Sequence, residues 1–389
     1  MLSDTTLAYA EGVTTALLGL DALFRTEDTS RADALVVLNM STTHQPELFA
    51  DYDAAATRFA ELERGASALP EPDRQRYYQQ LCQSELAFCR WRQGKLPFTE
   101  QISGFLHVPG APATEAELDA LRGEMHTLLN RMGYSGDLAA QCAAWEARNR
   151  VPSDEVHGTL TELLSAAWDR TAERMEIPAP KSDGMRVQTV RDVPFSGRCD
   201  YGQRMIDLNI DPVLTMPGLK HLAVHEGYPG HYVQFKLREH GYAQGTAPAD
   251  GLLSVVNTAS SSPFEGIADN GLRVIDWIES DDDRLSAVLT RYRSGIGTVA
   301  AWQLHALGRA PAQVADWLRA NALVGGEGWV ANRMGFIAAA DRSALIWSYW
   351  WGEAAVAPAW DAVPVARRPE FLRYLYGRMH SPQTVAMFS

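Results

Sequence analysis

The chain is poor in cysteine, in positive charge and in long apolar runs, and each scarcity closes off a class of function. Four cysteines in 389 residues, Cys82, Cys89, Cys142 and Cys199, form no Cys-x-x-Cys pair, which removes the usual signatures of a thiol redox centre or a cysteine-rich metal site. Cys82 and Cys89 lie seven positions apart and read as small apolar groups on one helix face. Lys and Arg number 35 against 48 Asp and Glu, a formal net charge of -13, so neither a nucleic acid nor an anionic membrane is an expected partner. The N-terminus, Met1-Leu-Ser-Asp-Thr-Thr, has no basic region, and the apolar stretch Ala16-Leu-Leu-Gly-Leu is cut by Asp21. No apolar run approaches the roughly 20 residues that span a bilayer, and the expected location is cytoplasmic. What is present is globular: 46% hydrophobic and 21% charged residues, enough for two domains or one large helical one.

The first 150 residues read as successive helices. Apolar positions recur at helical spacing over Leu7 to Phe24, Glu47 to Arg64 and Asp73 to Arg92, with Pro70 and Pro72 between the last two. Thr114-Glu-Ala-Glu117 is a capping-box sequence, opening a helix that Gly133 ends. Another helix is expected from Ser153 to Met175, stopped by Pro178-Ala-Pro180. From Met185 the pattern shifts to alternation over Arg186 to Arg191 and again over Gln203 to Asn209, which predicts a small sheet or hairpin. Gly251 to Pro263 reads as a loop, followed by helices over Arg291 to Leu307 and Pro311 to Leu323. The expected fold is mainly α with a small β-sheet, a helical region 1-180 forming a cleft wall and a second region 181-389. The basic tail Arg367-Arg368, Arg373 and Arg378 reads as a solvated face.

Chemistry concentrates in His221-Leu-Ala-Val-His225-Glu226-Gly-Tyr-Pro-Gly-His231. Two imidazoles and a carboxylate within seven residues are the donors of a zinc site with its own general base. On an unbroken helix, the i to i+6 gap turns His231 about 120° from His225, and the rings diverge. Pro229-Gly230 can break or bulge the helix and bring them back together. His221 alone reads as a satisfied core or surface histidine. Downstream, Glu265 is a candidate third ligand. Asp269, one turn on, can accept the second ring proton of a ligand histidine.

These residues carry a family resemblance. Asp207-Leu-Asn-Ile-Asp-Pro, His225-Glu-Gly-Tyr-Pro-Gly-His231 and Phe264-Glu265-Gly266 resemble the bacterial domain of unknown function 885 family, with its His-Glu-x-x-Pro-Gly-His signature, a relative of the gluzincin metallopeptidases. His305-Ala-Leu-Gly308 and Tyr349-Trp-Trp-Gly352 are weaker matches, and the similarity spans about residues 200 to 355. The resemblance implies a gluzincin-like helical fold, Zn2+ held by His225, His231 and Glu265, and an edge strand near the metal that pairs with a peptide. The chain departs from the family at Ile267, Asn270, Ala301 and Trp350, which implies an altered pocket lining.

The expected activity is hydrolysis of a peptide or amide of modest size, with Glu226 as general base and His305 or Tyr349, with Arg342 behind, steadying the oxyanion. Two alternatives stand beside it. One is a lyase or biosynthetic reaction on a small metabolite at the same metal; the other is a non-catalytic protein in which four protein ligands close the metal site. Oligomeric state is not legible in the sequence.

Overall fold

The computed structural model describes residues 2–27, 35–177 and 184–389. The Pro178-Ala-Pro180 stop and the boundary expected at residue 180 fall outside them. Helices hold 65% and strands 6% of the described residues, so the fold is mainly α, with two small sheets among them. In chain order the elements begin with α1 (Asp4–Glu27), β1 (Val36–Asn39), α2 (Tyr52–Ala66), α3 (Pro72–Arg92), α4 (Phe98–Leu106), α5 (Glu115–Arg131), α6 (Leu138–Asn149) and α7 (Val156–Arg174). They continue with β2 (Arg186–Val190), β3 (Gly197–Asp200), β4 (Met205–Asn209), α8 (Met216–Leu222), a π-turn (Ala223–Gly227), α9 (His231–Ala243), β5 (Leu253–Val255) and α10 (Ser261–Asp269). The last set is α11 (Gly271–Val274), α12 (Asp281–His305), α13 (Pro311–Asn321), α14 (Gly326–Ala338), α15 (Ile346–Ala362), α16 (Arg368–Tyr376) and α17 (Pro382–Val385).

The chain forms two compact units, one of residues 1–110, 233–267 and 351–389, the other of 111–232 and 268–350. Each draws on sequence from both sides of residue 180. Of the four divisions, one falls between α4 and α5 and the other three inside α9, α10 and α15.

In the first unit, α2 packs on α3 and β1 pairs antiparallel with β5, Val36 opposite Val255. That strand corrects the loop expected over Gly251 to Pro263. Only part of the segment is irregular, while Pro263 sits in the opening turn of α10, where its fixed φ is expected to place it. Two further corrections concern α2 and α1. Helix α2 starts after Asp51, whose side chain caps Ala54 N, because Glu47 is engaged elsewhere: its backbone N–H donates to Thr15 O. Helix α1 is long and apolar enough to cross a membrane by length and composition, although Asp21 interrupts its apolar run and no such span is expected from the sequence. Within it, 56% of the most apolar window is buried in the protein, which accounts for its composition.

In the second unit the capping box of α5 is present in both halves, Thr114 to the Glu117 backbone and Glu117 back to Thr114. Helix α12 begins ten residues before the expected Arg291, because Ser280 and Asp283 form a second capping box and three acids occupy its first turn. It packs on α5 and α8. The three-stranded sheet runs β2-β4-β3, β2 parallel and β3 antiparallel to β4. Asn209 at the end of β4 donates to Val193 O and Phe195 O at 3.2 and 3.0 Å, which shapes the loop leading into edge strand β3.

Candidate metal centre

Helix α8 starts at an N-cap Thr215 with Pro217 in its first turn, and Lys220 anchors it. The Lys220 ammonium lies 2.9 Å from Asp283 Oδ2 and 4.7 Å over the Trp277 ring. This buried pair joins α8 to the N-terminus of α12, so the segment that follows starts from a fixed place. The chain then widens into the π-turn Ala223–Gly227, which carries both His225 and Glu226. Such one-turn expansions rotate the following residues away from α-helical register.

The reversal after it depends on Gly230. Its N–H donates to Val224 O at 2.9 Å, and a Cβ there would lie 1.8 Å from His225 O and 2.3 Å from Val224 O. No side chain fits so close to two backbone carbonyls. The Tyr228–Pro229 peptide is cis. Helix α9 then opens on His231, and the two imidazoles that a straight helix would separate come to 4.6 Å between ring centroids, nearly perpendicular at 81°.

The third side chain comes from α10. Gln234, on the first turn of α9, donates to Phe264 O at 3.0 Å, and the Phe235 and Phe264 rings pack 5.3 Å apart. At Gly266 the helix meets α15 backbone on backbone: a Cβ there would lie 2.0 Å from Gly352 O. Glu265 and Asp269 stand one turn apart on this helix. One potential ligand atom from each of His225, His231 and Glu265 lies within 4.8 Å of the others, and all three residues are buried to 9% exposure or less. Modest side-chain rotation brings such a set to the roughly 3.4 Å between neighbouring ligands of a tetrahedral ion, so two imidazoles and a carboxylate fit a divalent metal.

Asp269 accepts from His225 Nδ1 at 2.9 Å, and His221 Nε2 lies 3.5 Å from the same oxygen. Burial works against a charge on Asp269, but the hydrogen bonds from His221 and His225 and the positive potential of both rings prevail, holding its carboxyl well below the usual carboxylate range. The bond to Nδ1 fixes the His225 tautomer with Nε2 turned to the ligand role. His221 is thus a satisfied histidine, as expected, and its partner is the carboxylate that orients His225. Its i−4 spacing to His225 puts both rings on one face beside Asp269; His221, His225 and Asp269 form a second potential ligand group.

Glu226 is 7% exposed, and Gly197 at the start of β3 lies over it: a Cβ there would sit 3.3 Å from Glu226 Cγ and Oε1. The Cys199 thiol, two residues along β3, is pushed well up by burial and by the charges of Glu226 and Asp200, and stays protonated. Of the oxyanion candidates, His305 Nε2 is 2.6 Å from Ile337 O, Tyr349 packs against Phe336 at 6.1 Å, and Arg342 precedes the short turn leading into α15. Among the described residues, His305 is in neither of the two potential ligand groups.

No family model and no curated protein matches the chain. Solved structures do. A protein titled a "putative lipoprotein" from Colwellia psychrerythraea superposes with a TM-score of 0.55 at 13% identity, over 86% of this chain and 65% of that one. Another, titled a "putative lipoprotein of unknown function", from Shewanella oneidensis gives 0.52 at 11% identity, over 86% and 71%. The chain thus spans about two thirds of the first neighbour's length, and at these identities the likeness is one of fold.

Proposed function

We propose that the chain is a zinc-dependent hydrolase that cleaves a peptide or another amide bond, of the gluzincin-like kind its motifs resemble. The observation that carries this reading is the convergence of His225, His231 and Glu265, with Asp269 hydrogen-bonded behind the first of them. Two imidazoles and one carboxylate leave a tetrahedral ion a fourth position, as catalytic zinc sites do. A zinc ion held there would supply Lewis acidity and lower the pKa of water toward about 7.

The chain's own residues do the rest. Glu226, adjacent in sequence to the first ligand, takes a proton from the attacking water as its oxygen bonds to the substrate carbonyl carbon. It hands that proton to the amine nitrogen as the carbon–nitrogen bond breaks. Asp269 keeps His225 in one tautomer throughout. Edge strand β3, whose first residue covers Glu226, supports an extended peptide as substrate, since its outer backbone groups can pair with one. Tyr349 is the favoured oxyanion donor: it lies one turn before Gly352, the residue that meets Gly266 next to Glu265.

The test is Glu226→Gln assayed on quenched fluorescent peptides with metal content measured in parallel. The variant keeps its metal and loses about 10²- to 10⁴-fold in rate, the usual weight of a general base. Cleavage by the wild-type protein that survives a strong chelator contradicts the proposal.

A further inference from the structure

We infer that Arg293 and Arg333 form a binding site for a carboxylate group of the substrate. Arg293 lies on α12 and Arg333 on α14. Their guanidinium carbons sit 4.4 and 5.4 Å over the ring of Trp329, one turn before Arg333 on α14 and itself 3% exposed. A guanidinium on an indole face keeps its N–H edge available in plane, the geometry that receives a carboxylate two bonds at a time.

The two groups bring ten N–H donors to this place, and among the described residues neither arginine makes a hydrogen bond to protein or an ion pair. Each Nε is sealed from solvent without an acceptor. The fully buried Arg74 and Arg238 also keep unmatched N–H groups, but each reaches at least one acceptor, Arg74 to Asp73 and Met379 O and Arg238 to Gln234, whereas the half-buried Arg293 and Arg333 reach none. Buried donors are nearly always satisfied, and two adjacent cations with no anion bonded to either are a costly arrangement to keep for packing alone. Burial and the neighbouring Arg333 charge both press the Arg293 pKa down, opposed by Glu146, and burial does the same to Arg333, opposed by Tyr349. An incoming carboxylate relieves both.

The position suits a substrate of the proposed hydrolase, and to that extent the inference rests on that reading. Asn332, beside Arg333, donates to Val193 O at 3.2 Å, and Pro194 packs on Gly335 of the same helix. Four residues after Val193 comes Gly197, which covers Glu226. At about 3.3–3.6 Å per extended residue, Val193 and Gly197 are no more than about 14 Å apart. The arginines and Glu226 thus lie at the two ends of one short segment that an extended peptide of several residues can span, and the carboxylate is either its C-terminus or an acidic side chain.

Calorimetry on metal-loaded, full-length Glu226→Gln protein tests this without turnover, using N-acetyl-trialanine, its C-terminal amide, and N-acetyl-Ala-Glu-Ala amide. The free acid is expected to bind roughly thirty-fold or more tightly than the plain amide, the order lost when one partner of a buried charge pair is removed. Adding Arg333→Gln or Arg293→Gln removes the preference with metal content unchanged, and Arg333→Lys retains a fraction of it. If the Glu-containing amide matches the acid, the site stands and accepts a side chain. Equal binding of acid and plain amide, binding of neither, or a preference that survives both glutamine changes overturns it. Should wild-type protein cleave nothing while the acid preference holds, the hydrolase reading fails and the carboxylate site remains.

Discussion

Replacing Asp269 with Asn changes one charge and no volume, at a position that contacts two histidines. Its Oδ1 accepts from His225 Nδ1 at 2.9 Å and lies 3.5 Å from His221 Nε2. Asparagine keeps one acceptor, so one ring can still be held. It loses the negative charge that raises the basicity of His225, and it brings an NH₂ group to a place where one ring nitrogen already donates. Removing such an orienting carboxylate commonly costs 10- to 100-fold in metal affinity, or about 1.4–2.8 kcal/mol. The assay is zinc titration of chelator-stripped protein in competition with a chromophoric chelator, wild type against Asp269→Asn, with circular dichroism confirming equal helix content. A 10- to 100-fold rise in Kd is expected. An unchanged Kd would mean that His225 is no ligand, or that Asp269 only anchors the helices.

Two further predictions concern the scaffold. Gly230→Ala places a methyl against the His225 and Val224 carbonyls, at 1.8 and 2.3 Å; neither can rotate away, so chemical denaturation should show a loss of at least about 2 kcal/mol, with zinc binding weakened too. Full metal affinity and stability in that variant would show that the reversal is not as tight as described. Glu85 is fully buried, and burial pushes its carboxyl up to about 8, eased only by Thr258. With a folded pKa above the unfolded value, its stabilising effect is complete below about 4.5 and is lost as pH rises toward 8. Glu85→Gln should therefore stabilise the protein at pH 7 by about 3 kcal/mol and flatten its stability between those limits; a variant less stable than wild type at pH 7 refutes this.

Much of the fold was legible where the causes are local. The Thr114–Glu117 capping box, the Pro72 start of α3 and the Pro311 start of α13 each rest on residues within one turn. The break at Pro229-Gly230 was foreseen for a similar reason, since a spacing of six cannot converge on a straight helix. Its form was not: the expansion begins earlier, at Ala223, and Gly230 is required by backbone contact rather than by flexibility.

What escaped the sequence depends on distant partners. Helix α2 starts late because Glu47 bonds to α1, and β5 exists because β1, more than two hundred positions away, pairs with it. The two units interleave three and two chain segments, which no linker composition announces. Lys220 and Asp283 are unremarkable charges until they meet in the interior. Asp207 and Asn209, read as part of a motif, hold Arg198 and the loop before β3. At the centre itself, the carboxylate spacing of Glu265 and Asp269 is readable as one helical turn, whereas the approach of His221 to Asp269 depends on how α10 packs against the motif and is not local.

The most direct test of the central claim is metal stoichiometry and affinity in the purified protein, wild type beside His225→Ala, His231→Ala and Glu265→Gln. The expected result is one tightly bound divalent ion per chain in the wild type, lost or weakened by orders of magnitude in each variant, with helix content preserved. An ion retained by all three variants, or none bound by the wild type under any loading condition, contradicts the claim.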